Sequence, residues 1–249
     1  MIIQIIETLL DKSVPFSGEH RRQQWENGWL QNLTEKNLRP RYFGKYKINR
    51  RNGYFVKAID KNYERDMLYS IVDRVAKKYL RNMPYIYEFG CGTGHNLLRV
   101  KKISPNSILH GMDWAVSSQR LVNSIGFPAA NFDFFDPNYR LKLHNPAGVF
   151  TVAALEQTGT KFKAFVSYLL KNKPKICVHI EPIAELLDKN NLMDYLSIKY
   201  FEKRKYLSGF LTYLRKLEKE KKIKIHEASR NRVGSLYIEG YSVVVWSPI

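Results

Sequence analysis

The stretch Tyr85-Ile86-Tyr87-Glu88-Phe89-Gly90-Cys91-Gly92-Thr93-Gly94-His95-Asn96 limits what this chain can fold into more than any other. Tyr85 to Phe89 is short, aromatic and β-branched and follows Pro84, as a buried strand does. Gly90, Gly92 and Gly94 alternate after it. Glycine permits positive φ and lets a ligand approach the bare backbone. Thr93, His95 and Asn96 read as the first turn of a helix whose free N–H groups face the turn. Strand, glycine turn and helix N-terminus together make a nucleotide-type site at the carboxyl edge of a parallel sheet.

The glycines run G-x-G-x-G, not the G-x-G-x-x-G of dinucleotide sites, and an acid, Glu88, stands two residues before the first. Ser107 to Asp113 reads as a second strand ending in an acid about 20 residues past the turn, where a carboxylate can accept from ribose hydroxyls. Ala129 to Phe134 reads as a third strand running into Asp133-Phe134-Phe135-Asp136-Pro137.

Glu88 and the alternating glycines resemble motif I of class I S-adenosylmethionine-dependent methyltransferases, E/D-x-G-x-G-x-G, and Asp113 matches the acidic motif II position. The resemblance covers roughly the last two-thirds of the chain. It implies an α/β fold: a Rossmann-like seven-stranded sheet, parallel except for its last strand, with helices on both faces. It implies S-adenosylmethionine as cofactor, held around Glu88, Gly90, Cys91, Gly92, Gly94 and Asn96. Asp113 would take the ribose and Trp114 would stack on adenine. Asp133, or else Asp136, would accept from the adenine amino group, with the Phe134 N–H reaching the ring. More loosely, the chain looks like methyltransferases of bacterial surface-polysaccharide and capsule biosynthesis.

Ala147 to Leu155 is nearly all apolar, as a central parallel strand should be, and ends in Glu156-Gln157-Thr158-Gly159. In the family this edge faces the methyl group, so Glu156 is a candidate for both cofactor contact and catalysis. Lys175 to Ile180 is a fifth strand ending in Glu181, and a carboxylate there is costly unless it meets a pocket or a partner. A hydroxyl acceptor needs a general base, for which Glu156, Glu181 and His179 are the candidates, with His95 behind them. Pro182 to Lys222 reads as helical, with an insertion at about 182–205 that would build the acceptor pocket. Ile223 to Glu227 and Tyr241 to Trp246 read as a closing antiparallel pair. Gln157, Arg204, Tyr206 and Arg232 are the candidate acceptor contacts.

Residues 1–61 read as a helical and basic extension, an acceptor cap or arm, ahead of a methyltransferase domain at 62–249. Trp25, Trp29, Leu30 and Leu33 fall at helical spacing and read as a packing face. Arg39 to Lys57 mixes seven cations with aromatics and contains no acid, a pattern that can grip phosphate or a stacked base, or can pack its rings and solvate its charges. Net charge is +18. It points to an anionic partner or to a Lys- and Asn-rich compositional bias. Two cysteines without metal-ligand spacing point to a reducing compartment, and no apolar run approaches the roughly 18 residues of a membrane span, so a cytoplasmic location is expected. No N-P-P-Y or D-P-P-Y follows the fourth strand and no catalytic cysteine pair is present, which disfavours amino-directed and cytosine-C5 methylation. The expectation is an O-methyltransferase acting on a polar or anionic small molecule or carbohydrate precursor. RNA methylation through the basic segment and a non-catalytic cofactor-binding subunit are the alternatives.

Overall fold

The computed structural model describes residues 1–249. The N-terminal segment supplies helices α1 (Ile2–Leu10) and α2 (Arg22–Thr34) and a hairpin of β1 (Ile48–Arg51) and β2 (Tyr54–Lys57). Helix α3 (Tyr63–Val75) leads into an alternating run: β3 (Tyr85–Phe89), α4 (His95–Ile103), β4 (Ile108–Asp113), α5 (Val116–Ser124), β5 (Ala129–Asn131), β6 (Ala147–Val152), α6 (Lys163–Asn172) and β7 (Ile176–Glu181). Helices α7 (Leu192–Arg204) and α8 (Phe210–Lys219) follow, then β8 (Ile223–Ser229), β9 (Val233–Gly234) and β10 (Ser242–Pro248).

Seven of these strands form one sheet in the order β5-β4-β3-β6-β7-β10-β8. Its pairings are parallel except those of β10, which runs antiparallel to both β7 and β8. Alternating residues feed two cores, as strand periodicity requires. Val244 and Trp246 of β10 join Phe165 of α6 and Leu214 of α8 on one face. Val243 and Val245 join Val72 of α3 and Val100 of α4 on the other. Winding reverses at β3, which pairs with β4 on one side and β6 on the other, and such a switch point opens a crevice at the carboxyl ends of the strands.

Two strands are shorter than expected. β5 stops at Asn131 because the Asp133 carboxylate accepts the Phe135 N–H at 2.9 Å and turns the chain. β6 stops at Val152 because Ala153 is left-handed, with φ 47°. The helical stretch after β7 resolves into α7 and α8, with one short turn of 3-10 helix at Ala184–Leu186.

A second, three-stranded sheet, β2-β1-β9, ties the basic N-terminal hairpin to the β8–β10 connection. Its key is Arg50, only 1% exposed, which donates to Ser197 Oγ and to the carbonyls of Met193 (2.7 Å) and Tyr237 (3.3 Å). Arg230 fastens the same N-terminal end of α7, bonding both oxygens of Asp194 (2.5 and 2.6 Å) and Glu239 (2.6 Å). This triad is mostly out of water, so removing its one cation leaves two acids without their paired charge. Arg230 also pulls the Asp194 carboxyl below its usual range against the raising effect of burial.

Arg230→Met is therefore expected to cost about 3 kcal/mol of unfolding free energy at neutral pH. A carboxyl depressed on folding contributes stability that is present above its unfolded pKa and lost as pH falls through the folded value. The gap between wild type and variant should thus narrow as pH is lowered past about 4. Urea unfolding across that range measures it.

Candidate active site

The glycine turn after β3 is built as its spacing requires. Gly90 and Gly92 have φ of 73° and 51°. A Cβ on Gly90 would stand 2.3 Å from the Ala154 Cβ, and one on Gly92 would stand 2.9 Å from Trp29 Cζ2. Only glycine fits either place. Asp113, at the end of β4, accepts the Gly92 N–H (2.9 Å) and the Ala115 N–H (2.9 Å), binding the turn to the adjacent strand. Asn96 Nδ2 donates to Glu88 Oε1 at 2.8 Å. Glu88 Oε2, Asn96 Oδ1 and His95 Nε2 are buried and make no hydrogen bond within the protein. Burial pushes the Glu88 carboxyl up to about 8, and burial pushes His95 down to about 3.

A cavity of about 80 Å³ opens on this turn, walled by Cys91, Asn96, Asp113, Trp114, Phe134 and Gln157, among others. It meets a second cavity of about 450 Å³, with Trp25, Trp29, Tyr42, Ala153 and Gln157 lining both. The first is well under the ~300 Å³ lower bound of small-molecule pockets. The reason is α2. Its Trp29 ring lies against Gly92 and stacks on Trp25 (centroids 5.7 Å). Glu26 accepts the Ser117 N–H (3.1 Å) in the first turn of α5. Arg22 pairs with Asp133 and lies 4.8 Å from the Trp114 ring centre. Helix α2 thus closes the crevice.

The tryptophans therefore line cavities instead of packing on the sheet core, and Leu30 is largely exposed, contrary to the expected packing face. Spacing alone gave no signal of this: Trp25, Trp29, Leu30 and Leu33 form one apolar stripe on a helix otherwise polar, whichever surface it covers. Asp133 lines neither cavity, since Arg22 and the Phe135 N–H occupy its carboxylate, while Phe134 does reach the cavity. Trp114 stacks on Phe135 with centroids 5.8 Å apart.

The three catalytic candidates separate. His179 is fully buried, its Nδ1 3.0 Å from Thr151 Oγ1 and its Nε2 accepting the Trp246 indole N–H at 3.0 Å. Burial drives its pKa to about 3, so it is a neutral core residue and does not reach the cavities. Glu181 is also fully buried; its oxygens accept the N–H groups of Ala154 (3.2 Å), Leu155 (3.1 Å) and Glu156 (3.1 Å). It shapes the turn after β6 and touches neither cavity. Glu156, carried by that turn, lines the larger cavity. Gln157 Nε2 donates to its Oε1 at 2.9 Å. Burial and the nearby Glu181 push the Glu156 carboxyl up to about 8, against the lowering pull of Arg204 and Arg21.

Of the acceptor candidates, Gln157, Arg204 and Tyr206 share the larger cavity with Glu156. Arg232 does not: it is exposed, left-handed at φ 52°, and gives its carbonyl to the Asn52 N–H at the rim of the second sheet. Arg21, Tyr42 and Tyr46, none of them a candidate from spacing, join the cavity wall because the N-terminal segment folds across it.

A carboxyl raised on folding stabilises below its unfolded pKa and loses that contribution as pH climbs through the folded value. Glu156→Gln removes this loss. Its stability relative to wild type should therefore rise between pH 4.5 and 8 and level off above, as read from denaturant midpoints; a pH-independent difference would mean the carboxylate is freely solvated.

No protein-family model matches the chain, and no curated protein does. Solved structures match by fold. The [4+2]-cyclase SpnF superposes with a TM-score of 0.57 at 12% identity, over 94% of this chain and 98% of its own. A SAM-dependent methyltransferase from Aquifex aeolicus gives 0.50 at 14% identity, over 75% and 93%. The mitomycin 7-O-methyltransferase MmcR gives 0.51 at 12% identity, over 73% of this chain and 54% of its own. With the strand order and the single antiparallel strand, these likenesses show that the chain has the class I S-adenosylmethionine-dependent methyltransferase fold.

Proposed function

We propose that this chain is an S-adenosylmethionine-dependent O-methyltransferase acting on a polar small molecule. The observation that carries the reading is the glycine cradle with an unsatisfied buried acid at its base: Gly90 and Gly92 leave no room for a side chain, and Glu88 Oε2 has no partner within the protein. A buried carboxyl raised to about 8 is what an ammonium group would ionise and pair. The residues therefore suit the cofactor. Glu88 and Asn96 would hold its amino-acid end, Asp113 its ribose, and Trp114 with Phe134 its base. Trp29 would have to swing off Gly92 to admit it, which makes α2 the element that then shuts water out.

When bound, S-adenosylmethionine supplies an activated methyl group on a sulfonium. The work left to the protein is alignment of the acceptor and removal of its proton. Glu156 suits the second task. It lines the larger cavity beside Gln157, which lines both and donates to its carboxyl. Its pKa near 8 makes it a stronger base than a solvated carboxylate, active in its ionised form above that pH. Glu181 sets its position through the turn. Tyr206 and Arg204 line the acceptor side.

A carbohydrate precursor falls within this acceptor class. RNA is less supported. Three of the basic segment's seven cations are engaged within the protein: Arg50 is buried, Arg39 donates to the carbonyls of Phe43 and Lys61, and Arg41 pairs with Glu35, which leaves Lys45, Lys47, Arg51 and Lys57 as its exposed charge.

Calorimetric titration with adenosylhomocysteine tests the reading. Wild type is expected to bind and Asp113→Ala to lose binding. Glu156→Gln should keep that affinity while methyl transfer to an acceptor hydroxyl falls by about 10²–10⁴. Absence of adenosylhomocysteine binding to the wild type would sink the proposal.

A further inference from the structure

We propose that Arg21 and Arg204 form an anion subsite on the wall of the larger cavity, which takes an oxyanion of the methyl acceptor, a carboxylate or a phosphoryl group. Both arginines line that cavity. Arg21 is only 8% exposed. Its Nε donates to Gln24 Oε1 (2.9 Å), and its two terminal nitrogens make no hydrogen bond within the protein. Arg204 gives one terminal nitrogen to the Tyr200 hydroxyl (2.9 Å), and its Nε is buried without a partner. Neither guanidinium has a carboxylate within 4.0 Å, although Arg22, Arg65, Arg99 and Arg230 each do.

The two like charges are held together by construction. The Ser17 N–H and hydroxyl donate to the Arg204 carbonyl (both 2.8 Å), and the hydroxyl also reaches the Lys205 carbonyl (2.7 Å). The backbone leading to Arg21 is thereby fastened to the C-terminus of α7, which carries Arg204. Burial, and then the charge of Arg204, depress the Arg21 pKa against the raising pull of Tyr206, Glu156 and Tyr200, and no acid meets the guanidinium at contact distance. An acidic oxygen pair offsets this burial best, because the guanidinium fork matches a carboxylate or phosphoryl group.

Two further features define what carries the anion. Aromatic faces flank both arginines: Arg21 lies 5.5 Å from the Trp25 ring centre and Arg204 lies 5.1 Å from that of Tyr206. Glu156 is the acid felt by both. A bound oxyanion would therefore leave the rest of the molecule lying along rings, with its nucleophilic hydroxyl on the Glu156 side. That the anion belongs to the methyl acceptor rests on the function proposed above; the subsite itself does not.

Phenyl phosphate and benzoate serve as probes, titrated by calorimetry without any methyl donor, so the two anion types are compared directly. Saturable one-to-one binding of at least one is expected, weakened about tenfold by Arg21→Gln and by Arg204→Gln and unchanged by Arg51→Gln on the exposed hairpin. Equal binding by wild type and both cavity variants would overturn the proposal, as would an equal loss in Arg51→Gln. A measurement on the wild type alone guards against misfolded variants. Phenylglyoxal modification, mapped by peptide mass, should be slowed by the bound probe at Arg21 and Arg204 and not at Arg51; protection elsewhere only would also overturn it. Adenosylhomocysteine is titrated in parallel. Anion binding without adenosylhomocysteine binding would remove the methyltransferase reading and leave the subsite, and the reverse would remove the subsite alone.

Discussion

The Glu181 carboxylate on three backbone N–H groups is the contact through which the sheet dictates the chemistry at its edge. Ala153 leaves β6 in the left-handed region, which costs a residue with a Cβ about 1–2 kcal/mol. The three hydrogen bonds that follow it oppose that strain and the cost of burying an acid, which still holds the Glu181 pKa up at about 7. They also decide where Glu156 and Gln157 point, since the Glu156 N–H is one of the three donors. Behind Glu181 stands a polar column in an otherwise apolar core. Trp246 donates to His179, and His179 meets Thr151, its partner in the register between β6 and β7. A neutral histidine between a donor and a hydroxyl satisfies every polar atom it has, so the column stays dry and rigid.

That column explains which parts of the site were legible in the sequence. The glycine turn is a local device: strand, positive-φ residues and helix start are contiguous, and Glu88, Gly92 and Asp113 came together as their spacing implied. Glu181 was legible as an acid at a strand mouth, but spacing does not say which way it faces. Its direction depends on the turn after the neighbouring strand folding over it. The same holds for His179, whose burial follows from Trp246 on a strand paired much later in the chain. Helix α2 misled for a different reason. A tryptophan pair at helical spacing looks alike whether it covers a core or a crevice, because both are apolar. The second sheet was not legible at all: β1 and β9 are distant in sequence and only two residue pairs join them.

The high positive charge also looks different once placed. Arg50 and Arg230 are structural, spent on carbonyls and on buried acids around the N-terminal end of α7. Arg22 and Arg99 are paired. Much of the basic character is therefore internal bracing or scattered solvated surface. Arg21 and Arg204 stand apart because they are drawn together without a counter-charge.

The joined cavities consequently carry opposite needs at their two walls. At the glycine turn, Glu88 is held neutral by burial and would ionise beside a cation. Across the shared boundary of Trp25, Trp29 and Gln157, two guanidinium groups face the space with no carboxylate in ion-pair contact, although Glu64 and Glu156 line the same cavity. A cationic methyl donor and an anionic acceptor each answer one wall, and neither answers the other. Exchanging them would set a cation against Arg21 and Arg204, which like-charge repulsion disfavours, and would leave an anion beside a Glu88 that offers it no positive charge. On the reading proposed above, electrostatics would sort the two ligands as well as shape. Glu156 lies between the regimes: the arginines lower its pKa and burial with Glu181 raises it. An acceptor anion seated on the arginines would offset their lowering influence, so filling the subsite would make the Glu156 carboxylate a stronger base and move its ionisation to higher pH.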